Sequence, residues 1–210
     1  MACMRFLRGA MFLPLMMSAA FAGEVYFSPN GHVRDHLIEH IQRAQKSIVI
    51  AMYSFTADPV AAALEDAHRR GVQVRVIRDL SQTSEKTDED AALAANGIPF
   101  HVLKGLGRGI MHNKFAVFDG VEAETGSYNW TNNAELDNYE NAYFFTEPAA
   151  VQAYAAQFEK LWALPPLNVT PARSPHHIGR PVTDMFAGHP MMSMGVIVLI
   201  MVAVLIAIAS

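Results

Sequence analysis

Cysteine is almost absent from this chain of 210 residues, with Cys3 the only one. No disulfide framework and no cysteine-based metal centre can therefore support a folded domain that begins after the first turns of chain. Positive charge is also scarce. From Gly23 to Pro165 there are 12 Lys plus Arg against 19 Asp plus Glu, a net of −7. That balance excludes a broadly basic face of the kind nucleic-acid binders present, and leaves room only for a local cationic groove. Charge of either sign is missing from Met191 to Ser210. A pairing that occurs once, His112-x-Lys114, has no second copy anywhere in the sequence.

The hydrophobic fraction is 51%, and it is unevenly placed. Met1 to Ala22 has Arg5 and Arg8, then an apolar core, then Ala20-Phe21-Ala22, the layout of a secretory signal peptide. Met191 to Ser210 is mostly Val, Ile, Leu, Met and Ala, and a helix of that length spans about the ~30 Å of a bilayer core. The ends thus predict a signal peptide over 1–22 and a transmembrane helix over 191–210, joined to the domain by a proline-rich tether, Pro165 to Pro190. This layout predicts an exported, membrane-anchored protein on the outer face of a cytoplasmic membrane, periplasmic in a bacterium. Arg173 and Arg180 lie on the domain side of the apolar run and pull weakly toward the opposite orientation.

Between the ends, residues 23–164 read as one α/β domain. Val25-Tyr26-Phe27 is a first strand, and a helix to about Gln45 has Val33, Leu37, Ile38 and Ile41 as its apolar stripe. Ser47 to Phe55 is a near-continuous apolar run, as expected of a strand buried on both faces. Asp58-Pro59 predicts an N-cap and first-turn proline for a helix ending at Gly71. Strands follow over Val72 to Ile77 and Ile98 to Leu103, with a short helix from about Glu89 to Ala95 between them. Asp119-Gly120 signals a hairpin into a strand over Glu122 to Ser127, then a strand over Tyr139 to Phe145 and a helix over Pro148 to Trp162. Early β-α-β alternation followed by a meander predicts a mixed β-sheet sandwiched by helices.

The chemistry gathers between His112 and Asn132. His112 and Lys114 stand two apart in a run of strand formers, so both side chains leave the same face. An imidazole beside an ammonium builds a poor core and a good anion site. Asp119 has the opposite parity and points away from that pair. Ser127 and Asn129, again two apart, offer a hydroxyl and an amide to the same anion. Gly105-Leu106-Gly107-Arg108-Gly109 leads into this run, but a strand follows it, so it is no dinucleotide fingerprint.

The spacing H-x-K-x4-D over His112, Lys114 and Asp119, followed by G-S-x-N over Gly126 to Asn129, resembles the phospholipase D superfamily. The short single-motif core resembles its small nuclease branch. The resemblance covers roughly Glu24 to Trp162. It implies the fold of a phospholipase D-like half-domain and metal-independent phosphodiester hydrolysis without a cofactor, through a phosphohistidine on His112. Lys114, Asn129 and Ser127 would stabilise the phosphoryl oxygens. Glu140, in Asn138-Tyr139-Glu140-Asn141, matches the family's carboxylate that hydrogen-bonds the histidine, and Asp119 matches its motif aspartate, read here as structural. Since the family uses two such motifs per site and this chain has one, the resemblance implies a homodimer.

Lys104, Arg108 and Trp130 are candidates for a phosphate or substrate groove. Trp130 either stacks along that groove or packs beneath it. His32, His36 and His40 recur every fourth residue and line one helix face, read as a polar face and not as a metal site. Two substrates compete, nucleic acid first and membrane phospholipid second. A catalytically silent binding module stands behind them, disfavoured because His112 and Lys114 are both present.

Overall fold

The computed structural model describes residues 23–83 and 89–169. The expected signal peptide and transmembrane helix, and all but the first residues of the expected tether, lie outside them. Seven strands form one sheet in the order β1-β7-β6-β5-β2-β3-β4. They are β1 (Gly23–Ser28), β2 (Ser47–Met52), β3 (Gln73–Asp79), β4 (Phe100–Leu103), β5 (Lys114–Phe118), β6 (Glu122–Gly126) and β7 (Glu140–Phe145). The helices are α1 (Val33–Arg43), α2 (Asp58–Arg69), α3 (Asp90–Ala95), α4 (Asn132–Leu136) and α5 (Pro148–Trp162). The expected mixed sheet with helices on both faces is what the chain forms.

β2 is the centre of this arrangement, parallel to β3 on one side and antiparallel to β5 on the other. Its alternation sends Ile48, Ile50 and Met52 toward the core shared with α1 and α2, and Val49 and Ala51 toward the core under α5. Helix α5 closes the second face with Val151 and Phe158, each fully desolvated and worth about 1.5–3 kcal/mol. β4 is one sheet edge, and Leu167 donates its N–H to the Val102 carbonyl there. The first residues after α5 thus run along the sheet edge before any tether begins.

Several local expectations shift. Helix α2 is capped at Ala57 without a side-chain bond, and Asp58 sits inside the first turn beside Pro59. The third strand is not half-solvated. It lies inside the sheet and ends in Arg78 and Asp79, both buried, because Arg78 pairs with the equally buried Asp90 at 2.7 Å. Helix α4 lies between two expected strands, where no element is expected. It forms because Thr131 accepts from the Ala134 N–H at its start, while the Glu135 carboxylate accepts from Tyr128 Oη and the Arg34 N–H.

Asp119 sits at the far end of β5 from Lys114, with φ 53, followed by Gly120 at φ 70. Two positive φ values with the Val121 N–H donating to the Phe118 carbonyl make the type I′ hairpin that Asp-Gly favours. Its carboxylate accepts from three successive backbone N–H groups, Gln45 and Lys46 and Ser47, at 2.9, 2.7 and 2.9 Å. Desolvation works to raise the Asp119 carboxyl, but those donors outweigh it and hold it below the usual value. The motif aspartate is a splice between the start of β2 and the β5–β6 turn, and the parity reading agrees with that placement. Asp119→Ala is expected to cost about 1–3 kcal/mol, from three stranded donors and an alanine forced into left-handed backbone. A urea titration would measure it. Residual turnover by the folded fraction should stay near wild type; a loss as deep as that of a site residue would put Asp119 at the phosphate.

Candidate active site

The site is assembled where two segments are pinned to the end of β2. On one side, Tyr53 donates its N–H to the Asn113 carbonyl, and the buried Asp79 accepts from the Met111 N–H at 2.6 Å. These two bonds clamp the stretch around His112, which lies just before β5 begins at Lys114. On the other side, the Trp130 N–H donates to the Ser54 carbonyl and the Thr56 N–H to the Trp130 carbonyl. That bridge fixes the loop containing Ser127 and Asn129. Gly126, at its start, is required by space: a Cβ there would meet the Asn141 carbonyl oxygen of β7 at 2.0 Å.

His112 and Lys114 come together as strand parity predicts. Lys114 Nζ lies 3.3 Å from His112 Nε2 and also 3.3 Å from the His112 carbonyl. An ammonium has protons and no lone pair, so Lys114 is the donor to both. Lys114 is buried while His112 is exposed. Burial lowers the Lys114 ammonium below its ordinary value, partly countered by the Glu140 carboxylate. The Asn129 side-chain oxygen accepts from the Ser54 N–H at 3.3 Å, which turns its NH₂ away from the backbone as an anion donor.

Ser127 and Glu140 are joined, with the Ser127 hydroxyl donating to Glu140 Oε2 and the Asn138 amide to Oε1 at 3.0 Å. The expected Glu140–histidine hydrogen bond is not made within one chain. Both carboxylate oxygens are taken by neighbours on the β6–β7 side, so Glu140 acts on Lys114 through space. Lys104 and Arg108 lie exposed on the loop before His112. Trp130 is fully buried, edge-on to Phe55 at 5.3 Å, so it packs beneath the site and lines no groove. The histidines of α1 do not converge: His36 stacks on Tyr26 at 3.6 Å, and His40 reaches Glu122 at 2.8 Å and stacks on Phe144. Among the described residues no group of three His, Cys, Asp or Glu side chains is placed to hold a metal ion.

The sequence reading missed Tyr53. Its ring meets the His112 ring edge-to-face at 4.6 Å and lies 5.0 Å from Lys114 Nζ. Its placement follows from the β2–β5 register, Met52 opposite Lys114, which no local motif encodes. On β6, opposite Ala116, Glu124 is fully buried, and burial pushes its carboxyl up to about 8.

The lowered Lys114 value has a consequence for pH dependence. The cation must keep its proton to meet an anionic substrate, and loses it at lower pH than a solvated lysine does. The expected alkaline limb of kcat/KM therefore falls below the ordinary lysine range, and Lys114→Arg moves it to higher pH or removes it. A kcat/KM profile that stays flat up to the pH of a free lysine would contradict this.

The arrangement is an exposed imidazole 3.3 Å from a buried ammonium, beside the loop that carries the Asn129 amide and the Ser127 hydroxyl. The family model described as "Cardiolipin synthase, PLD-like domain" matches residues 37–162. The mitochondrial cardiolipin hydrolase of Xenopus laevis is 36% identical over 126 residues, covering 60% of this chain and 59% of that protein. Among solved structures, Nuc of Salmonella typhimurium, a phospholipase D family member, superposes with a TM-score of 0.63 at 31% identity, covering 68% of this chain and 94% of that one. NucT from Helicobacter pylori gives 0.64 at 28% identity, covering 68% and 96%. The chain spans less than two thirds of the length of the cardiolipin hydrolases it matches. These relatives correct the expected location. The cardiolipin hydrolases are named as mitochondrial proteins, so export to the outer face of a bacterial membrane does not stand. Among the described residues no helix is long and apolar enough to cross a membrane.

Proposed function

The chain belongs to the phospholipase D superfamily, and from that membership we propose that it is a phosphodiester hydrolase whose nucleophile is His112, acting on nucleic acid. The observation that supports this best is the 3.3 Å approach of Lys114 Nζ to His112 Nε2. In the first step the His112 Nε2 lone pair forms a bond to phosphorus and the P–O bond to the leaving group breaks. Lys114 transfers its hydrogen bond from the ring to a non-bridging oxygen, where charge is greatest in the transition state. Asn129 donates its amide to the same oxygens, while the Ser127 hydroxyl is given to Glu140 Oε2 and holds that carboxylate, which supports the Lys114 charge.

The leaving oxygen needs a proton, and one copy of the motif has no second acid for it. We assign that proton to His112 of the partner subunit, in a homodimer whose two motifs meet at one site. That ring, neutral after giving its proton, then takes one from the water that attacks phosphorus and breaks the P–N bond. No step in this sequence calls on a cofactor.

Nucleic acid ranks first because the chain accounts for nearly the whole of Nuc and NucT, which supports the small single-motif branch. Phospholipid is the second reading, supported by the names of the curated relatives. Incubating the purified chain in chelator with single-stranded DNA, RNA and labelled phospholipid separates them. Cleavage of nucleic acid is expected; lipid turnover with nucleic acid untouched would reverse the ranking. A monomer fully active at high dilution would remove the shared-site mechanism.

A further inference from the structure

Beside the phosphate site lies an open cleft of about 650 Å³, within the ~300–1,000 Å³ typical of sites that take a group of small-molecule size. It begins at Tyr53 and Asn129, the residues already against His112 and the anion, and runs outward past Gln82, Asn132, Asn133 and Asn138. Its lining is chemically narrow. Among the described residues that line it, the only ionisable side chains are the Tyr53 phenol and Asp58, and none is aliphatic.

Each of these features excludes something. The Asp58 carboxylate repels a second phosphate, so the cleft suits an uncharged part of the substrate. An acyl chain laid here would strip water from amides and hydroxyls without replacing their hydrogen bonds, at a cost of about 1–3 kcal/mol for each group. Primary amides, by contrast, are planar and offer a donor and an acceptor side by side, the pattern that matches the edge of a nucleobase.

The amides are also partly pre-set. Gln82 Nε2 donates to Tyr53 Oη at 3.1 Å and to Ser81 Oγ at 3.3 Å, which ties this amide to the ring that touches His112 and leaves its oxygen as acceptor. Asn132 Oδ1 accepts from the Arg34 guanidinium at 2.7 Å, turning its NH₂ outward, and Asn138 gives its NH₂ to Glu140, leaving its oxygen as acceptor. Asn133 sits in the first turn of α4, and its side chain has no hydrogen-bond partner among the described residues.

We propose that this cleft is a base-reading subsite: it takes the nucleoside next to the scissile phosphate of a single strand and selects among bases through the Gln82 and Asn133 amides. An unpaired strand is required because a duplex already occupies the base edges. The inference rests on the nuclease reading above.

The test uses the full chain, four homopolymeric single-stranded oligonucleotides and the variants Gln82→Ala and Asn133→Ala. Wild type is expected to give unequal kcat/KM across the four, and either variant to compress that spread by about tenfold, the loss of one paired base contact. A merely structural role would lower all four together and leave their ratios alone. That outcome, or equal cleavage of all four by wild type, would overturn the subsite while leaving a nuclease. Wild type inert toward every oligonucleotide would overturn the nuclease reading itself, and the subsite with it.

Discussion

His112→Ala is expected to lower turnover by about 10³-fold or more while leaving folding and self-association unchanged. The activity loss follows from its two proposed roles: the ring of one subunit forms the covalent bond, and that of its mate supplies the proton. Removing both disables attack and departure together, so the effect exceeds that of any donor to the phosphoryl oxygens. Stability should hold because His112 is exposed, and the contacts it gives up are one with the Tyr53 ring and one with Lys114. A melting curve beside a turnover assay makes the distinction. Mixing wild type with His112→Ala adds a sharper reading. A heterodimer holds one ring where the shared site needs two, so turnover should fall as the square of the wild-type fraction, and a strictly linear fall would put a complete site in each chain. Turnover near wild type in the alanine variant would remove His112 from the mechanism.

Asp90→Ala is expected to cost about 3–5 kcal/mol, the largest stability effect of a single change in this domain. Arg78 and Asp90 are both fully buried, with the guanidinium 2.7 Å from the carboxylate and 5.6 Å from the centre of the Phe55 ring. Removing the acid takes from a guanidinium held out of water the carboxylate it meets at 2.7 Å. For a domain of this size the melting temperature should fall by roughly 10 °C. The double change Arg78→Met with Asp90→Leu should recover most of that loss, because neither charge then remains to be desolvated. If it recovered nothing, the pair would be holding the fold by geometry and not merely cancelling charge. There is also a route to function. Asp79, next to Arg78, holds the Met111 N–H, so loosening the end of β3 loosens the segment that aims His112.

The sequence was most informative where one physical rule governs a whole element. Period-two alternation put His112 and Lys114 on one side and sent Asp119 elsewhere, and the structure has them so, at 3.3 Å and at opposite ends of β5. Helix α5 keeps the bounds expected for it, Pro148 to Trp162, because a first-turn proline and one apolar stripe suffice to define it. Reading failed where a residue's environment comes from distant chain. Arg78 looks like an ordinary end of a half-exposed strand until Asp90 arrives beneath it. Trp130 could stack or pack on sequence grounds, and the bridge to the end of β2 decided for packing. Glu140 matched a motif for bonding histidine, yet the β6–β7 pairing places Ser127 and Asn138 closer to it.

By itself, then, the sequence determined that His112 and Lys114 share a face, because spacing along a strand fixes direction. Only the tertiary structure decided that Tyr53 walls the site, that Asp119 splices two strands, and that a row of amides lies beside the phosphate. Those are matters of which strands pair and in which register. Register is set by the summed burial of the whole sheet, and no single stretch of chain contains it.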